Sequence, residues 1–398
     1  MYLGPGVPRE GQAALDGVVI LDLSRVLSGP YCTAMLADLG ARVIKIESPT
    51  GDDARHLGPF RNGVSVYFAI LNRGKQSVAL DLKREADVQL LRELVRHADV
   101  LVENFRPGVM DRLGLSYDTL RQSNPALIYA SISGFGQTGP QAARPAYDLV
   151  IQAESGLMDQ TGWPGGPPTR VGESLGDVQA GLLSAFAITA ALYARTRDGM
   201  GTHLDISMLE GLLSMQVTGI SQLNATGESP HRVGNRHPVS TPFDTYAASD
   251  GLVVIAVANE SGFARLAGLI GHPELSADPR YATDEARTRH EPEVRALIEE
   301  WSGALSVAEV VRMATEVGVA ASPIRNLQQA LESPHLAHRR AVAQMHHPVV
   351  GDIRYVPQPV RMSGRSRSQA TSSPELNADG ERVREWVRAS QSSADPPG

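Results

Sequence analysis

The fold is decided near the N-terminus, by Gly17-Val-Val-Ile-Leu-Asp-Leu-Ser24, Arg25-Val-Leu-Ser-Gly-Pro-Tyr-Cys-Thr-Ala-Met-Leu-Ala-Asp-Leu-Gly40 and Ala41-Arg-Val-Ile-Lys-Ile-Glu47. An apolar strand, a turn, an amphipathic helix and a second apolar strand predict a βαβ unit of nucleotide-binding type. Ser28 and Gly29 lead into the helix, with Pro30 at its first position, where a missing N–H does no harm. Since such a helix N-terminus favours phosphate groups, the turn predicts a phosphate-bearing ligand.

The bulk composition limits the class of protein. A chain of 398 residues is longer than one core usually organises, so we expect two domains. The net charge of −7 argues against general affinity for nucleic acid or an anionic membrane. The first residues lack a secretory pattern, and a near-apolar run at 181–194 is too short to span a bilayer, which predicts a buried helix. The single cysteine, Cys32, excludes an intramolecular disulfide and favours the cytoplasm.

Strands and helices alternate beyond the first unit. Further strands are predicted at 77–82, 99–104, 127–133 and 202–206, and helices at 84–97, 146–158, 178–195 and 209–223. This alternation predicts an α/β fold with a mostly parallel, doubly wound sheet. The composition shifts near Asn224, and 226–330 is predicted to be a second, smaller α/β domain. Strand character at 344–361 and a final helix at 374–387 follow.

Ordered motifs along the chain resemble one known family. They are 23–33, 39–47, Leu71-Asn-Arg-Gly-Lys75, Glu103-Asn-Phe-Arg-Pro-Gly108, Ser133-Gly-Phe-Gly-Gln-Thr-Gly-Pro140, Arg144-Pro-Ala-Tyr-Asp148, Leu175-Gly-Asp177 and Arg232-Val-Gly-Asn-Arg-His-Pro238. The sequence resembles the class III coenzyme A transferases, the family of formyl-CoA transferase and carnitine CoA-transferase, with α-methylacyl-CoA racemase as a divergent branch. A single motif of this kind would be weak evidence for the family, but the whole set in this order is specific evidence.

The resemblance implies an architecture that the composition does not show. A large domain built from both chain ends, 1–225 and 331–398, would enclose the inserted domain 226–330, and the C-terminal tail would be mobile. The family also implies an interlaced homodimer, which requires long connections around 200–226 and 325–345. Coenzyme A thioesters would be substrates, with no permanently bound cofactor, in a cytoplasmic enzyme.

The resemblance assigns the nucleophile to Asp177. Its carboxylate would attack the acyl-CoA thioester to give an aspartyl anhydride, and CoA thiolate would convert this into an aspartyl-CoA thioester for the acceptor acid. The start of a long helix would help to keep Asp177 ionised. From position alone, the N-cap of helix 178–195 is the favoured explanation of Asp177, and the surrounding family motifs favour the nucleophile instead. Backbone N–H groups of 134–139 or before Asp177, and the side chain of Gln137, are candidate oxyanion donors.

The resemblance also assigns a set of residues to coenzyme A: Val26, Leu27, Ser28, Leu71, Asn72, Arg73, Gly74, Lys75, Asn104, Phe105, Arg106, Arg112, Arg144 and Tyr147. The basic side chains of this set suit phosphates, and Phe105 or Tyr147 suits adenine or the pantetheine arm. The alternative for each basic residue is an exposed surface charge. Ser48 stands where some members carry a basic residue, which leaves one adenine-side contact in doubt.

The predicted loop 231–238 supplies candidates for the acceptor acid. Arg232, Arg236 or His237 would meet its free carboxylate. The loop lacks the glycine run of formyl-CoA transferase, which indicates an acceptor other than the oxalate of that enzyme. No carboxylate or cysteine is spaced with His231 and His237, so no metal site is predicted.

Three alternatives remain beside a CoA transferase that moves coenzyme A between two carboxylic acids, with succinyl-CoA as a candidate donor. The racemase branch has a His-Asp pair where this chain has Tyr147-Asp148, and tyrosine is a poor base because its ordinary pKa is about 10. An NAD-dependent dehydrogenase would use Glu47 for ribose, but the three-glycine spacing is missing, so we interpret Glu47 as a surface acid. A non-catalytic acyl-CoA binder would not need Asp177.

Overall fold

The computed structural model describes residues 12–366 and 370–392. It forms two compact units. The larger unit contains the described residues of Met1–Ser155, Val171–Gln216 and His335–Gly398. The smaller unit contains Gly156–Arg170 and Val217–Pro334, so it includes a segment that the predicted domain 226–330 lacks. The tail beyond 392, predicted to be mobile, lies outside the described residues.

The strands in chain order are β1 (Val19–Asp22), β2 (Arg42–Glu47), β3 (Phe60–Arg61), β4 (Val64–Ser65), β5 (Gln76–Ala79), β6 (Val100–Glu103), β7 (Ile128–Ser133), β8 (Thr202–Ser207), β9 (Phe243–Ala248), β10 (Gly251–Ala256), β11 (Ala320–Pro323), β12 (Ala343–His347) and β13 (Gly351–Tyr355).

The helices are α1 (Ser28–Asp38), α2 (Val66–Leu71), α3 (Glu85–Arg96), α4 (Val109–Arg112), α5 (Tyr117–Leu120), α6 (Asp148–Glu154), α7 (Leu157–Gln160), α8 (Leu175–Asp198), α9 (Met208–Ser214), α10 (Val217–Thr226), α11 (Glu260–Leu269), α12 (Asp284–Arg289), α13 (Glu291–Ser302), α14 (Val307–Glu316), α15 (Leu327–Leu331), α16 (Pro334–His338) and α17 (Gly380–Ser392). Two short 3₁₀ helices span Asp53–His56 and Pro273–Ala277.

A six-stranded sheet organises the larger unit. Its order is β5-β2-β1-β6-β7-β8, and every neighbouring pair is parallel. Strands β1, β6 and β7 are buried along almost their whole length, which explains their continuous apolar runs. The sheet confirms the predicted parallel α/β fold. From β1 the chain adds β2 and β5 on one side, and it then adds β6, β7 and β8 on the other side. The strand order therefore reverses between β1 and β6, and ligands bind at such a switch point in open α/β sheets.

The C-terminal segment returns to the larger unit and completes one face of its sheet. Val383 and Val387 of α17 share a buried cluster with Leu91 and Leu94 of α3. The final helix begins at Gly380, six residues later than predicted. Residues before it cover the edge of β5 instead, because Asn377 Oδ1 accepts the N–H of Ala79 at 3.0 Å and the Asn377 N–H donates to Ser77 Oγ.

The opposite face carries α1 and α8 in close contact. A Cβ on Gly181 of α8 would lie 2.6 Å from the carbonyl oxygen of Ser28, so only glycine permits this approach. Cys32 is buried in α1, and burial raises the pKa of its thiol. The helix predicted to be buried at 181–194 is exposed on one side, because Phe186 is 72% exposed and Tyr193 is 67% exposed. By length and composition alone α8 would also pass as a membrane span, which is weak evidence because core helices of soluble proteins do so too.

The smaller unit has its own sheet and core. Strands β11, β10 and β9 form an antiparallel sheet in that order. Val253 and Ile255 pack with Phe263 and Leu266 in a buried cluster. The segment 156–170 belongs to this unit through contacts such as the hydrogen bond from the Gly234 N–H to the Gly162 carbonyl at 2.9 Å.

Three predicted elements divide in the structure. Residues 146–158 form α6 and α7, separated at Gly156, whose φ of 77° ends the first helix. Residues 209–223 form α9 and α10. Residues 344–361 form the antiparallel hairpin of β12 and β13.

Candidate active site

The turn between β1 and α1 has a strained conformation. Helix α1 begins at Ser28, two residues earlier than the predicted Pro30. Val26 has a φ of 65°, a left-handed conformation that is unfavourable for a β-branched residue. Such a residue costs on the order of 1–3 kcal/mol and persists only where its surroundings enforce it.

Asn104 and Asp52 enforce this conformation. Asn104 Oδ1 accepts the N–H of Arg25 at 2.8 Å, and Asn104 Nδ2 donates to the carbonyl of the same residue at 2.8 Å. Asp52 Oδ1 accepts the N–H of Val26 at 3.1 Å. Side chains from two other segments therefore hold both sides of the turn. The turn is a preformed surface beyond the end of β1.

A buried network of charges lies beneath the turn. Lys75 contacts Asp22 at 2.9 Å, and Lys45 contacts Asp52 at 2.8 Å and donates to the Ser24 carbonyl at 2.9 Å. Burial alone would raise the pKa of Asp22, but the two lysines hold it below its ordinary value. Burial lowers the pKa of Lys75 to about 8. These ion pairs fix the turn from inside the protein.

The predicted coenzyme A segment 71–75 lies inside this structure. Arg73 pairs with Asp38 at 2.6 Å, and its side chain is 3% exposed. Lys75 Nζ contacts Asp22 and also donates to Asn72 Oδ1 at 2.9 Å. The remaining members of the segment are Leu71, which is buried, and Gly74, whose N–H donates to the Thr371 carbonyl. Because both cations already have carboxylate partners, this segment supports the turn rather than presenting charges to a phosphate.

Asp177 lies in the first turn of α8. The helix begins at Leu175 with Ser174 as its N-cap residue, so the interpretation of Asp177 as the N-cap was wrong. The side chain is partly exposed. Burial and the nearby carboxylate of Asp148 raise the pKa of Asp177 to about 6, against a hydrogen bond from the Ser28 hydroxyl that lowers it. Burial and Asp148 therefore act against the predicted effect of the helix N-terminus, which favours the ionised form.

Asp148 holds the beginning of α8. Its Oδ1 accepts the N–H of Gly176 at 2.7 Å, and its Oδ2 accepts from Gln152 Nε2 at 2.7 Å. Tyr147 precedes it and is 79% exposed, so the two residues form no paired acid and base. The arrangement therefore gives no support to the racemase alternative.

Two predicted oxyanion donors are already engaged. The N–H of Gln137 donates to both carboxylate oxygens of Asp205, at 3.0 Å each. The N–H of Gly176 donates to Asp148. Neither of these N–H groups is free to bind a developing oxyanion in this conformation.

The structure brings Ser28, Asn104 and Asp177 together. Asn104 Nδ2 lies 3.3 Å from Ser28 Oγ, and the Ser28 side chain acts on Asp177 by lowering its pKa. Tyr67 of α2 also lies in the field of Asp177, because burial and then this carboxylate raise the pKa of the phenol. No pattern in the sequence had singled out Tyr67.

A cleft of about 230 Å³ lies at the carboxyl ends of β1, β2, β5 and β6. Leu80 and Leu82 line it after β5, and Phe105 lines it after β6. Arg25 and Lys83 bring positive charge to the same cleft. No sequence motif had singled out 80–83, although their position directly after the third parallel strand is a signal for a ligand contact.

The other predicted ligand contacts do not line this cleft. Arg106 lines a separate small cavity, and Arg112 is exposed on α4. Arg144 pairs with Glu154 at 2.6 Å. In the smaller unit Arg232 pairs with Asp159 at 2.9 Å. Of the residues predicted for coenzyme A, Phe105 lines the cleft. Val26, Ser28 and Asn104 belong to the neighbouring turn and the contacts that hold it.

Glu47 is not the surface acid that was expected. It is buried, it pairs with Arg55 through both carboxylate oxygens at 2.7 Å, and Ser77 donates to it at 2.6 Å. A carboxylate engaged in this way has no oxygen to offer a ribose. Across residues 12–366 and 370–392, no three histidine, cysteine, aspartate or glutamate side chains cluster as metal ligands.

Known proteins resemble this chain over nearly its whole length. The family model for CoA-transferase family III matches residues 15–380. The chain belongs to this family. It is 43% identical to an acetyl-CoA:oxalate CoA-transferase of Acetobacter aceti, over 96% of this chain and 98% of that protein. It is 38% identical to a succinyl-CoA:mesaconate CoA-transferase of Haloarcula marismortui, over 92% and 94%. A crystal structure of a CAIB/BAIF family protein from Brucella suis has 37% identity and a TM-score of 0.83, over 94% of this chain and 100% of that chain.

Family membership makes the protein an enzyme, a class III CoA-transferase, with CoA thioesters as substrates. The dehydrogenase and the non-catalytic binder are therefore excluded. The mixed α/β fold with its large parallel sheet agrees with the Brucella suis structure.

Proposed function

We propose that this class III CoA-transferase moves coenzyme A from an acyl-CoA to a small dicarboxylic acid, with Asp177 as the nucleophile. The observation that carries the proposal is the position of Asp177 in the first turn of α8, beside Ser28 of the strained turn. The names of two relatives support the class of acceptor, since oxalate and mesaconate are both dicarboxylates. Because one relative is named for oxalate, oxalate is again a candidate acceptor, although the glycine run of formyl-CoA transferase is missing.

The reaction would proceed through two kinds of acyl-enzyme. The Asp177 carboxylate attacks the thioester carbonyl, the C–S bond breaks, and CoA thiolate leaves an aspartyl anhydride. The thiolate attacks the aspartyl carbonyl, which releases the donor acid and forms an aspartyl-CoA thioester. The acceptor carboxylate attacks this thioester and expels the thiolate. The thiolate then takes the acceptor acyl group, which restores the Asp177 carboxylate.

The environment of Asp177 suits a nucleophile. At pH 7 a carboxyl group with a pKa of about 6 is roughly nine-tenths ionised, so the reactive form dominates. Its raised pKa makes it a stronger nucleophile than an ordinary aspartate. The N-terminus of α8 favours its charge, and Ser28 orients one of its oxygens.

The cleft at the strand ends suits the adenosine part of coenzyme A. Leu80, Leu82 and Phe105 would pack on the adenine, and Lys83 would pair with a phosphate. Arg25 would join it by exchanging its exposed ion pair with Asp53, at 3.1 Å, for a phosphate. The preformed turn with Ser28 would guide the pantetheine arm from this cleft toward Asp177.

The exposed side of α8 supports the interlaced homodimer. Leu182, Leu183, Phe186 and Tyr193 expose a long apolar surface on one helix, and large patches of this kind mark interfaces. We expect light scattering to give about twice the 42.6 kDa chain mass. A 42.6 kDa species would contradict the dimer. The buried thiol of Cys32 and the absence of any possible disulfide favour a cytoplasmic enzyme.

Hydroxylamine trapping tests the nucleophile. The enzyme is incubated with acetyl-CoA or succinyl-CoA and hydroxylamine, and its intact and peptide masses are measured. We expect a hydroxamate at Asp177, no adduct in Asp177→Ala, and a normal adduct in Asp198→Asn, a control at the other end of α8. Solvent deuterium entering an acyl-CoA at its α-carbon, without any Asp177 adduct, would contradict the transferase mechanism.

A further inference from the structure

Glu103, Ser131 and His203 form a polar cluster that the proposed mechanism does not use. Glu103 ends β6, Ser131 lies opposite it on β7, and His203 lies on β8, two residues before the register partner of Ser131. His203 Nε2 lies 2.9 Å from Ser131 Oγ, and Ser131 is the register partner of Glu103 in the sheet. The cluster lines a cavity of about 60 Å³ that also contains Arg106.

Glu103 is buried without a cation partner among its hydrogen bonds. It is 3% exposed, and its Oε2 accepts the N–H of Phe105 at 2.8 Å. Burial raises the pKa of Glu103 to about 7, Asp111 and Asp205 add to this, and the bonds from Ser131 and Phe105 oppose it. Burying a carboxyl group without a cation partner costs free energy, so we look for a structural role of Glu103 that offsets this cost.

The backbone that Glu103 holds carries the clamp of the active-site turn. Asn104 lies between Glu103 and Phe105, and its side chain binds both the N–H and the carbonyl of Arg25. The same side chain reaches Ser28 Oγ at 3.3 Å, and Ser28 lowers the pKa of Asp177. The contacts therefore run from the Glu103 carboxyl group to Ser28, the residue that acts on Asp177.

We propose that Glu103 is a positioning residue that fixes the 104–105 backbone, so that Asn104 holds Ser28 against Asp177. This inference rests on the proposed function only in giving Asp177 its role as nucleophile. The hydrogen bond that it preserves is a property of the folded protein and can be measured without turnover.

The test is the pKa of Asp177, read from carboxyl ¹³C shifts in protein labelled at aspartate and assigned by the signal lost in Asp177→Asn. Loss of the Ser28 hydrogen bond removes an interaction that lowers this pKa. We therefore expect Ser28→Ala and Glu103→Ala each to raise it by up to about one unit, since a hydrogen bond to a charged group is worth about that much. The double variant should show no further rise. Glu103→Gln keeps an acceptor for Phe105 and should stay within about a third of a unit of the wild type.

Two further variants separate positioning from loss of folding. Glu103→Asp keeps the charge but withdraws the carboxylate from Phe105, and it should raise the pKa of Asp177 where the alanine variant fails to fold. Asp99→Ala is the matched control, because Asp99 accepts the Val19 N–H at 2.8 Å just before the other end of β6. It should lower the melting temperature without moving the pKa of Asp177.

Two results would overturn the inference: an unchanged pKa of Asp177 in folded Glu103→Asp or Glu103→Ala, or full additivity with Ser28→Ala. An equal shift in Asp99→Ala would do the same, because it would show a general loosening of the sheet. Failure of the proposed function is seen separately, as a wild-type enzyme that gives no Asp177 hydroxamate.

Discussion

Replacing Asp148 by asparagine should shift the activity profile of this enzyme toward acid. The Asp148 carboxylate raises the pKa of Asp177, second only to burial. Asparagine removes the charge, and its oxygen can still accept the Gly176 N–H that Asp148 accepts at 2.7 Å. The variant therefore separates the electrostatic effect of Asp148 from its structural support of α8.

The magnitude follows from the pKa of Asp177, about 6 against an ordinary 3.8. Burial, which is the larger cause of the raised pKa, is unchanged in the variant. We therefore expect the pKa of Asp177 to fall by about one unit and to stay above its ordinary value. At pH 5 the ionised fraction would rise from roughly one-tenth to roughly one-half, about a fivefold gain in kcat/KM. The variant loses the hydrogen bond that Gln152 Nε2 donates to Asp148, because the new side-chain NH₂ group faces the NH₂ group of Gln152. This loss should cost about 1–2 kcal/mol in stability.

The assay is kcat/KM for the acyl-CoA as a function of pH, since its acid limb reports the free enzyme. Glu154→Gln, another carboxylate-to-amide change on α6, should leave the limb in place. An acid limb that stays fixed or moves to higher pH in folded Asp148→Asn would refute the reasoning, because no charge effect on Asp177 would remain.

Three further results are expected. Asp177→Asn should raise the free energy of unfolding at pH 7 by about 1–3 kcal/mol, and the gain should fall as the pH drops below 6 and vanish below about pH 3, where the wild-type group is protonated in both states; a gain that is independent of pH in denaturant titrations would contradict this. Val26→Gly should change the free energy of unfolding by less than about 1 kcal/mol, because relief of the left-handed strain offsets the added entropy of the unfolded chain. It should nevertheless lower kcat/KM. A loss of several kcal/mol would mean that packing of the Val26 side chain, rather than the conformation of the turn, determines stability here. Lys83→Ala should raise KM for the acyl-CoA about tenfold in low salt and leave kcat within about twofold; an unchanged KM would remove this lysine from the phosphate contacts.

The parallel sheet could be predicted from sequence because its strands are buried on both faces. β1, β6 and β7 then read as short apolar runs between helices, and their order along the chain leaves few topologies. Element ends were less predictable, because they depend on partners elsewhere in the chain. The start of α8 at Leu175 reflects the Asp148 bond to Gly176, which joins residues 28 positions apart.

The candidate site was predictable where backbone pattern and chemistry coincide, as at Ser28 and Asp177. The site was not predictable where a ligand contact was inferred only from the charge of a residue. Arg73 and Lys75 look like phosphate ligands in a sequence, but their carboxylate partners lie 35 and 53 residues away. Only the fold brings these partners together, so a basic residue in a motif does not reveal whether its charge faces a ligand.

The buried and partly buried carboxylates of the larger unit divide into those with a cation partner and those without one, and Asp177, like Glu103, belongs to the second group. Four buried carboxylates pair with a lysine or arginine: Asp22, Asp38, Glu47 and Asp52. The raised pKa of Asp177 comes instead with a neutral hydroxyl, that of Ser28, as its hydrogen-bond donor. A fixed cation would stabilise the carboxylate, lower its pKa and weaken it as a nucleophile. The same cation would also have to separate from an uncharged anhydride in every turnover. A neutral donor avoids both costs, and so the turn that positions Ser28 is held in place by Asn104 and Asp52 rather than by the nucleophile itself.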